Sequence, residues 1–151
     1  MSAKAERIAY LAAQLAAQFP ARGVTRSFLP HAQRSDDELA PGLFTVLSNG
    51  VASYPYEHSD YGPGLDAPAQ TELGELELVI TAQIKLPEGS TGEAVETAEL
   101  DMLADLEAFA NAAIGDELLV TLRLLRARQS LQLDVPYGWV HTEWHLPLLE
   151  P

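Results

Sequence analysis

Near its C-terminal end the chain reads His141-Thr142-Glu143-Trp144-His145, its densest run of side chains able to do chemistry. Two imidazoles and a carboxylate are ligands that zinc accepts. At every second position of an extended strand they would share one face. The spacing is not that of a zinc-binding helix, in which the glutamate directly follows the first histidine, and the flanking Gly138 and Pro147 disfavour a helix in any case. Val140, Trp144, Leu146 and Leu148 supply the oily side of such a strand. His141, Glu143 and His145 are therefore expected to face outward as a solvated row, with a metal site or an enzyme built on them as the alternative.

Other chemistry-bearing residues are more scattered. Asp36-Asp37-Glu38 lacks the regular acidic spacing and the glycine of a calcium loop, and reads as a loop or a helix start. No Gly-x-Ser-x-Gly elbow accompanies the serines and histidines. Gly62-Pro63-Gly64 neither follows a strand nor opens a helix, so it is not read as a phosphate cradle. The absence of cysteine removes disulfides, thiol nucleophiles and cysteine-based zinc sites. The expectation is a protein that is not an enzyme, with no catalytic residue, no cofactor and no metal. Its candidate contact residues are aromatic: Tyr54, Tyr56 and Tyr61, in or beside a Gly/Pro-rich loop from Pro55 to Thr71. Exposed tyrosines suit protein contacts, and such loops are functional or mobile.

The clearest pattern that could position these residues runs from Glu75 to Ile114. Leu76, Leu78, Ile80, Ala82, Ile84 and Leu86 alternate with Glu75, Glu77, Val79, Thr81, Gln83 and Lys85, the period of a half-buried strand. Pro87, Glu88 and Gly89 stop it, and Ser90 with Glu93 forms an expected capping box. A helix follows, with Val95, Ala98, Met102, Leu106, Phe109 and Ala113 on its apolar stripe, Leu103 and Ala110 widening it, and Gly115 ending it. Upstream, residues Ala3 to Phe19 read as a helix whose buried side is Ile8, Leu11, Ala12, Leu15 and Phe19, closed by Pro20. A short strand is expected over Val24 to Leu29, then a surface loop from His31 to Glu38. A hairpin of Leu43 to Leu47 and Val51 to Tyr54 should turn at Asn49-Gly50. Residues Asp116 to Arg128 fit either helix or strand, with the first-turn acids and last-turn arginines leaning toward helix. Leu131, Leu133 and Val135 then alternate as a strand, Val135-Pro136-Tyr137-Gly138 suits a type I turn, and Trp139 to Leu146 returns. Pro147 and Pro151 suit an edge or tail. The fold class expected is α/β of the α+β type: a mixed, mostly antiparallel sheet with hairpins against two main helices, in one domain over residues 1–151.

The formal charge of −13, with only nine basic residues, argues against direct nucleic-acid affinity and against anionic membranes. Eight acids from Glu93 to Glu117 occur with no base among them and suggest a solvated helix face. No apolar run reaches membrane-spanning length, and Met1-Ser2-Ala3-Lys4 lacks a signal peptide's oily region, so a cytosolic or cytosol-assembled protein is expected.

The order of these elements, with Phe44-Thr45-Val46-Leu47-Ser48-Asn49-Gly50 in the first hairpin and Pro136-Tyr137-Gly138-Trp139-Val140 in the last, resembles the tail terminator proteins of long-tailed phages, the minor tail protein U-like group. The resemblance covers nearly the whole chain and lies in layout and size. It implies a structural phage or prophage protein that forms a homohexameric ring, caps the tail tube, halts its polymerisation and provides the tail side of the head–tail joint. The implied partners are the tail tube protein and a head or neck completion protein. The implied location is the virion tail, assembled in the bacterial host cytoplasm, and the family has no catalytic residues to carry over. The acidic cluster would then line a passage that repels DNA phosphates. The alternatives are a neck or tail-completion protein, a cytosolic small binding module without catalysis, and an enzyme using His141, Glu143 and His145.

Overall fold

A computed structural model describes residues 2–54 and 74–148. The alanine-rich N-terminal segment forms α1 (Ala3–Gln18), started by the Ser2 side chain, which accepts a hydrogen bond from the Ala5 amide at 3.1 Å. Its inward side is Ile8, Leu11, Ala12 and Leu15, as their spacing predicts, and Phe19 sets its ring edge-on to Phe44. Arg7 is buried as well, and its guanidinium reaches the Leu118 carbonyl.

Strand β1 is only Gly23–Thr25 and runs parallel to β2 (Leu43–Ser53). The longer strand expected over Val24 to Leu29 does not form, because the chain leaves the sheet after Thr25 and crosses its outer face. There Arg26 Nε donates to the Val46 carbonyl at 2.7 Å, and Gln83 Nε2 donates to the Leu29 carbonyl at 3.0 Å. The expected loop from His31 to Glu38 holds a single 3-10 turn and a one-turn helix, α2 (Asp36–Leu39), capped reciprocally by Ser35 and Glu38. Asp36, Asp37 and Glu38 are thus the acidic first turn of a helix.

The hairpin expected at Asn49-Gly50 is absent. β2 continues past it and pairs antiparallel with β3 (Glu75–Lys85), with a register shift between Ser48 and Ala52. Gly50 does adopt a positive φ of 81°, but its freedom serves a bulge rather than a reversal. The next helix, α3 (Gly92–Ala113), starts one residue later than expected. Thr91 caps it by accepting from the Ala94 amide, while the Ser90 hydroxyl donates to the Pro87 carbonyl. No capping box forms, because the residue three beyond Thr91 is an alanine.

The leaning toward helix over Asp116 to Arg128 is overturned: turns lead into strand β4 (Arg123–Gln129). The strand expected at Leu131, Leu133 and Val135 is instead a turn, with Leu131 and Gln132 at φ near +60°. The Val135–Pro136 peptide is cis. β5 (Tyr137–Pro147) begins at once, so Gly138 lies within a strand rather than in a type I turn. The sheet has five strands in the order β1-β2-β3-β5-β4, parallel only at β1–β2. β5 is therefore interior, not an edge, and Pro147 sits at its very end, opposite Glu75. This is the α+β architecture expected from the sequence, with α1 and α3 as its two main helices.

The core lies between the helices and the inner sheet face, where Phe44, Leu78, Ile80, Val140 and Trp144 meet Leu11, Leu15, Met102, Leu106 and Phe109. Thr142 is the polar residue of that layer. Its hydroxyl donates to the Ile80 carbonyl and accepts from Trp144 Nε1, both at 2.6 Å, so it carries no burial penalty. Among the described residues no helix is long and apolar enough to cross a membrane.

Candidate functional site

With the helices on one side, the other face of the sheet is left to carry chemistry, and β3, β4 and β5 determine what stands on it. Direct cross-strand partners in an antiparallel pair point the same way. Arg123 opposite His145, Arg126 opposite Glu143 and Arg128 opposite His141 therefore share the outer face. The row His141, Glu143, His145 does face outward on one side of β5, as its spacing predicts.

The structure gives the three members of that row different neighbours. His145 Nε2 lies 3.1 Å from Glu75 Oε2, Glu143 lies 3.7 Å from Arg126 Nε, and His141 lines a cavity farther along the face. Among the described residues no group of three His, Cys, Asp or Glu side chains is placed to hold a metal ion. Of the tyrosines, Tyr56 and Tyr61 lie outside the described residues. Tyr54 is exposed at the end of β2, with the Lys4 ammonium 4.7 Å from its ring centre.

The cavity beside His141 measures about 490 Å³. Its floor is Thr81 and Gln83 of β3 with Trp139, Val140 and His141 of β5; Phe28, Pro30 and His31 wall it on one side and Arg128 of β4 stands on the other. The wall exists because residues 26–34 are tied across the sheet. Besides the contacts of Arg26 and Gln83, Arg34 donates to the Ser27 carbonyl and pairs with Glu38 at 3.0 Å. That pairing is the largest cause holding the Glu38 carboxyl below its usual range, with the Ser35 amide assisting. Lys85, hydrogen-bonded to Asp36 at 2.8 Å, has its ammonium pKa raised mainly by that contact. His31 stacks on Tyr137 at 4.3 Å between ring centres.

Two polar atoms in this floor are buried without a hydrogen-bond partner among the described residues: Thr81 Oγ1 and Gln83 Oε1. The sequence pattern placed both residues on a wet strand face and so missed the cavity. The signals that could have found it are Val79 in that same phase, together with Phe28 and Trp139, apolar residues with no place in the inner core.

Glu99 supplies the other functional geometry. It stands in the core-facing stripe of α3 at 1% exposure. One carboxylate oxygen accepts from the Trp139 amide at 2.8 Å and from the Ser130 hydroxyl, the other from Gln129 Nε2 at 3.3 Å. It belongs to the acid cluster that reads as a solvated face, yet it is structural. Asp105 is likewise paired, with Arg22 at 2.9 Å, and Asp116 accepts from the Tyr10 hydroxyl at 2.6 Å, which is the main reason that phenol's pKa is raised. The exposed acids of the cluster are Glu93, Glu96, Asp101, Glu107 and Glu117.

No known protein family matches this chain, and no characterised protein is significantly similar to it.

Proposed function

We propose that the protein is a structural component of a phage or prophage tail: identical copies close into a ring that caps the tail tube and ends its growth. The observation that carries this reading is a strip of three arginines on an edge strand, set in the layer opposite the exposed acids of α3. Arg123, Arg126 and Arg128 stand on the outer face of edge strand β4, whereas the exposed acids of α3 belong to the opposite layer. Among the described residues no ion pair joins these arginines to the acids of α3. A neighbouring copy can meet the basic strip with carboxylates other than those of α3, because the chain carries 22 acids against nine bases.

Exposed apolar side chains accompany the arginines. Leu125 lies on β4, and Leu131 and Leu133 lie in the turn that follows it, at 79% and 77% exposure. An edge strand with unpaired backbone groups and exposed leucines is suited to covering by a partner. A heterologous contact of this kind makes a finite ring when its rotation closes. The ring reading also draws on the layout resemblance, and in it the acids of α3 line the passage for DNA.

The test is the mass of the purified protein in solution, followed by electron microscopy with tail tubes. A closed ring seated on tube ends, and tails of uncontrolled length when the protein is absent, are the expected results. A protein that stays monomeric at high concentration and with tubes present, in a system whose tails keep their normal length without it, overturns the reading. A second reading, a small binding module without catalysis, is favoured by the cavity between residues 28–31 and the outer sheet face.

A further inference from the structure

We propose that the cavity on the outer face is a socket for a tyrosine side chain of a partner polypeptide, with acidic residues flanking that tyrosine. The floor defines the chemistry. Gln83 is 5% exposed, and its amide nitrogen is committed to the Leu29 carbonyl at 3.0 Å. The atom left with no partner at all is therefore Oε1, which can only accept, although the nitrogen keeps a second N–H. Gln83 Oε1 and Thr81 Oγ1 are buried without partners among the described residues, and both residues belong to the lining of the cavity. A buried acceptor left unpaired is costly, so an occupant that brings a donor is favoured over one that does not.

The walls define the shape. Phe28 and Trp139 present aromatic surface, and Phe28 is half exposed. A phenol meets both requirements, with its ring against Phe28 and Trp139, its O–H donated to Gln83 Oε1, and its oxygen able to accept from the Thr81 hydroxyl. A phenylalanine would cover the walls but leave the acceptor unpaired. Water could satisfy the polar atoms but would leave the aromatic wall wet.

The mouth defines what surrounds the tyrosine. Arg128 stands there, and Arg126, loosely paired with Glu143 at 3.7 Å, and Arg123 continue the strip along β4, opposite about 13 Å of β5. Positive charge drawn out along an edge is matched by carboxylates spaced along an extended chain, not by one small molecule in the cavity. This inference goes beyond the capping reading and does not depend on it.

The experiment is a titration of the full-length protein, followed through its two indole N–H signals by NMR. The probes are a capped Glu-Tyr-Glu peptide, its Glu-Phe-Glu and Lys-Tyr-Lys counterparts, and p-cresol. The Trp139 signal should move and that of the buried Trp144 should not. The acidic tyrosine peptide should bind about tenfold more tightly than the phenylalanine one, the usual worth of one hydrogen bond to a buried acceptor. Gln83→Leu should level the two. Thr81→Val, which keeps the shape of the floor should Gln83→Leu loosen Leu29, should narrow the gap. Arg128→Ala should weaken the preference for acidic over basic flanks. Absence of a Trp139 shift with every probe, or equal binding of the tyrosine and phenylalanine peptides, overturns the socket. If p-cresol binds as tightly as the acidic peptide, the polypeptide assignment fails.

Discussion

Replacing Glu99 by Ala would leave the Trp139 amide, the Ser130 hydroxyl and the Gln129 side-chain amide without the carboxylate they share. Hydrogen bonds to a charged group contribute more than neutral ones, and buried donors stripped of their acceptor pay their desolvation in full. The expected loss is on the order of 3 kcal/mol in chemical denaturation, while Glu96→Ala, on the exposed side of the same helix, should change little. Equal stability of the two variants would mean that Glu99 does not hold the turn between β4 and β5. Gly138 belongs to the same arrangement. A methyl group there would come within 2.9 Å of Val95 and 3.0 Å of Glu99, so glycine is what lets α3 approach β5 closely enough for the carboxylate to reach the Trp139 amide.

Among the elements, α3 is held by its stripe, and Leu106→Ala or Phe109→Ala should each cost about 2–5 kcal/mol by emptying a packed site. A melting temperature unchanged from the parent would place those side chains outside the core. This helix and β3 were readable in the sequence because the apolar period runs the length of each, with Glu99 in the helix stripe and Val79 on the outer face of the strand as the exceptions, and the outward row of β5 was readable for the same reason. The errors cluster where a register shift or a tie from elsewhere in the fold breaks a period. In β4 the irregularity between Leu124 and Arg126 puts Leu125 on the surface and Arg126 on the outer face, which erases the alternation and leaves leucine spacings that mimic a helix. At Asn49-Gly50 the local signal for a tight turn is real, but β3 continues alongside and pairs again with β2 at Ala52 after the bulge, which keeps the chain moving forward. Leu131, Leu133 and Val135 alternate without a strand because Glu99 draws Ser130 and Trp139 together and makes the residues between them a turn. The cavity was hidden for a different reason. Its wall comes from residues distant in sequence, and no period along β3 can show that residues 26–34 will cross over Thr81 and Gln83.

For the whole molecule, charge separates two roles that the ring reading assigns to two surfaces, so each can be removed alone. Changing Arg123, Arg126 and Arg128 together to Ser takes away the basic strip. These side chains are exposed and the only ion pair among them that the described residues show is the loose one between Arg126 and Glu143, so the melting temperature should hardly move. Assembly should shift toward monomer, and the parent ring should loosen at high salt, because contacts between exposed charges are screened. Changing Glu93, Glu96, Asp101 and Glu107 together to Gln or Asn should do the opposite: the ring keeps its mass, but a passage stripped of its negative charge no longer repels phosphate and retains DNA at low salt. Sedimentation of both variants, with and without a DNA fragment, reads the two effects separately. If the second set of changes dissolves the ring, the acids of α3 lie between copies rather than along the passage. If neither set changes the mass or the DNA retention, the division of charge is not what assembles the protein.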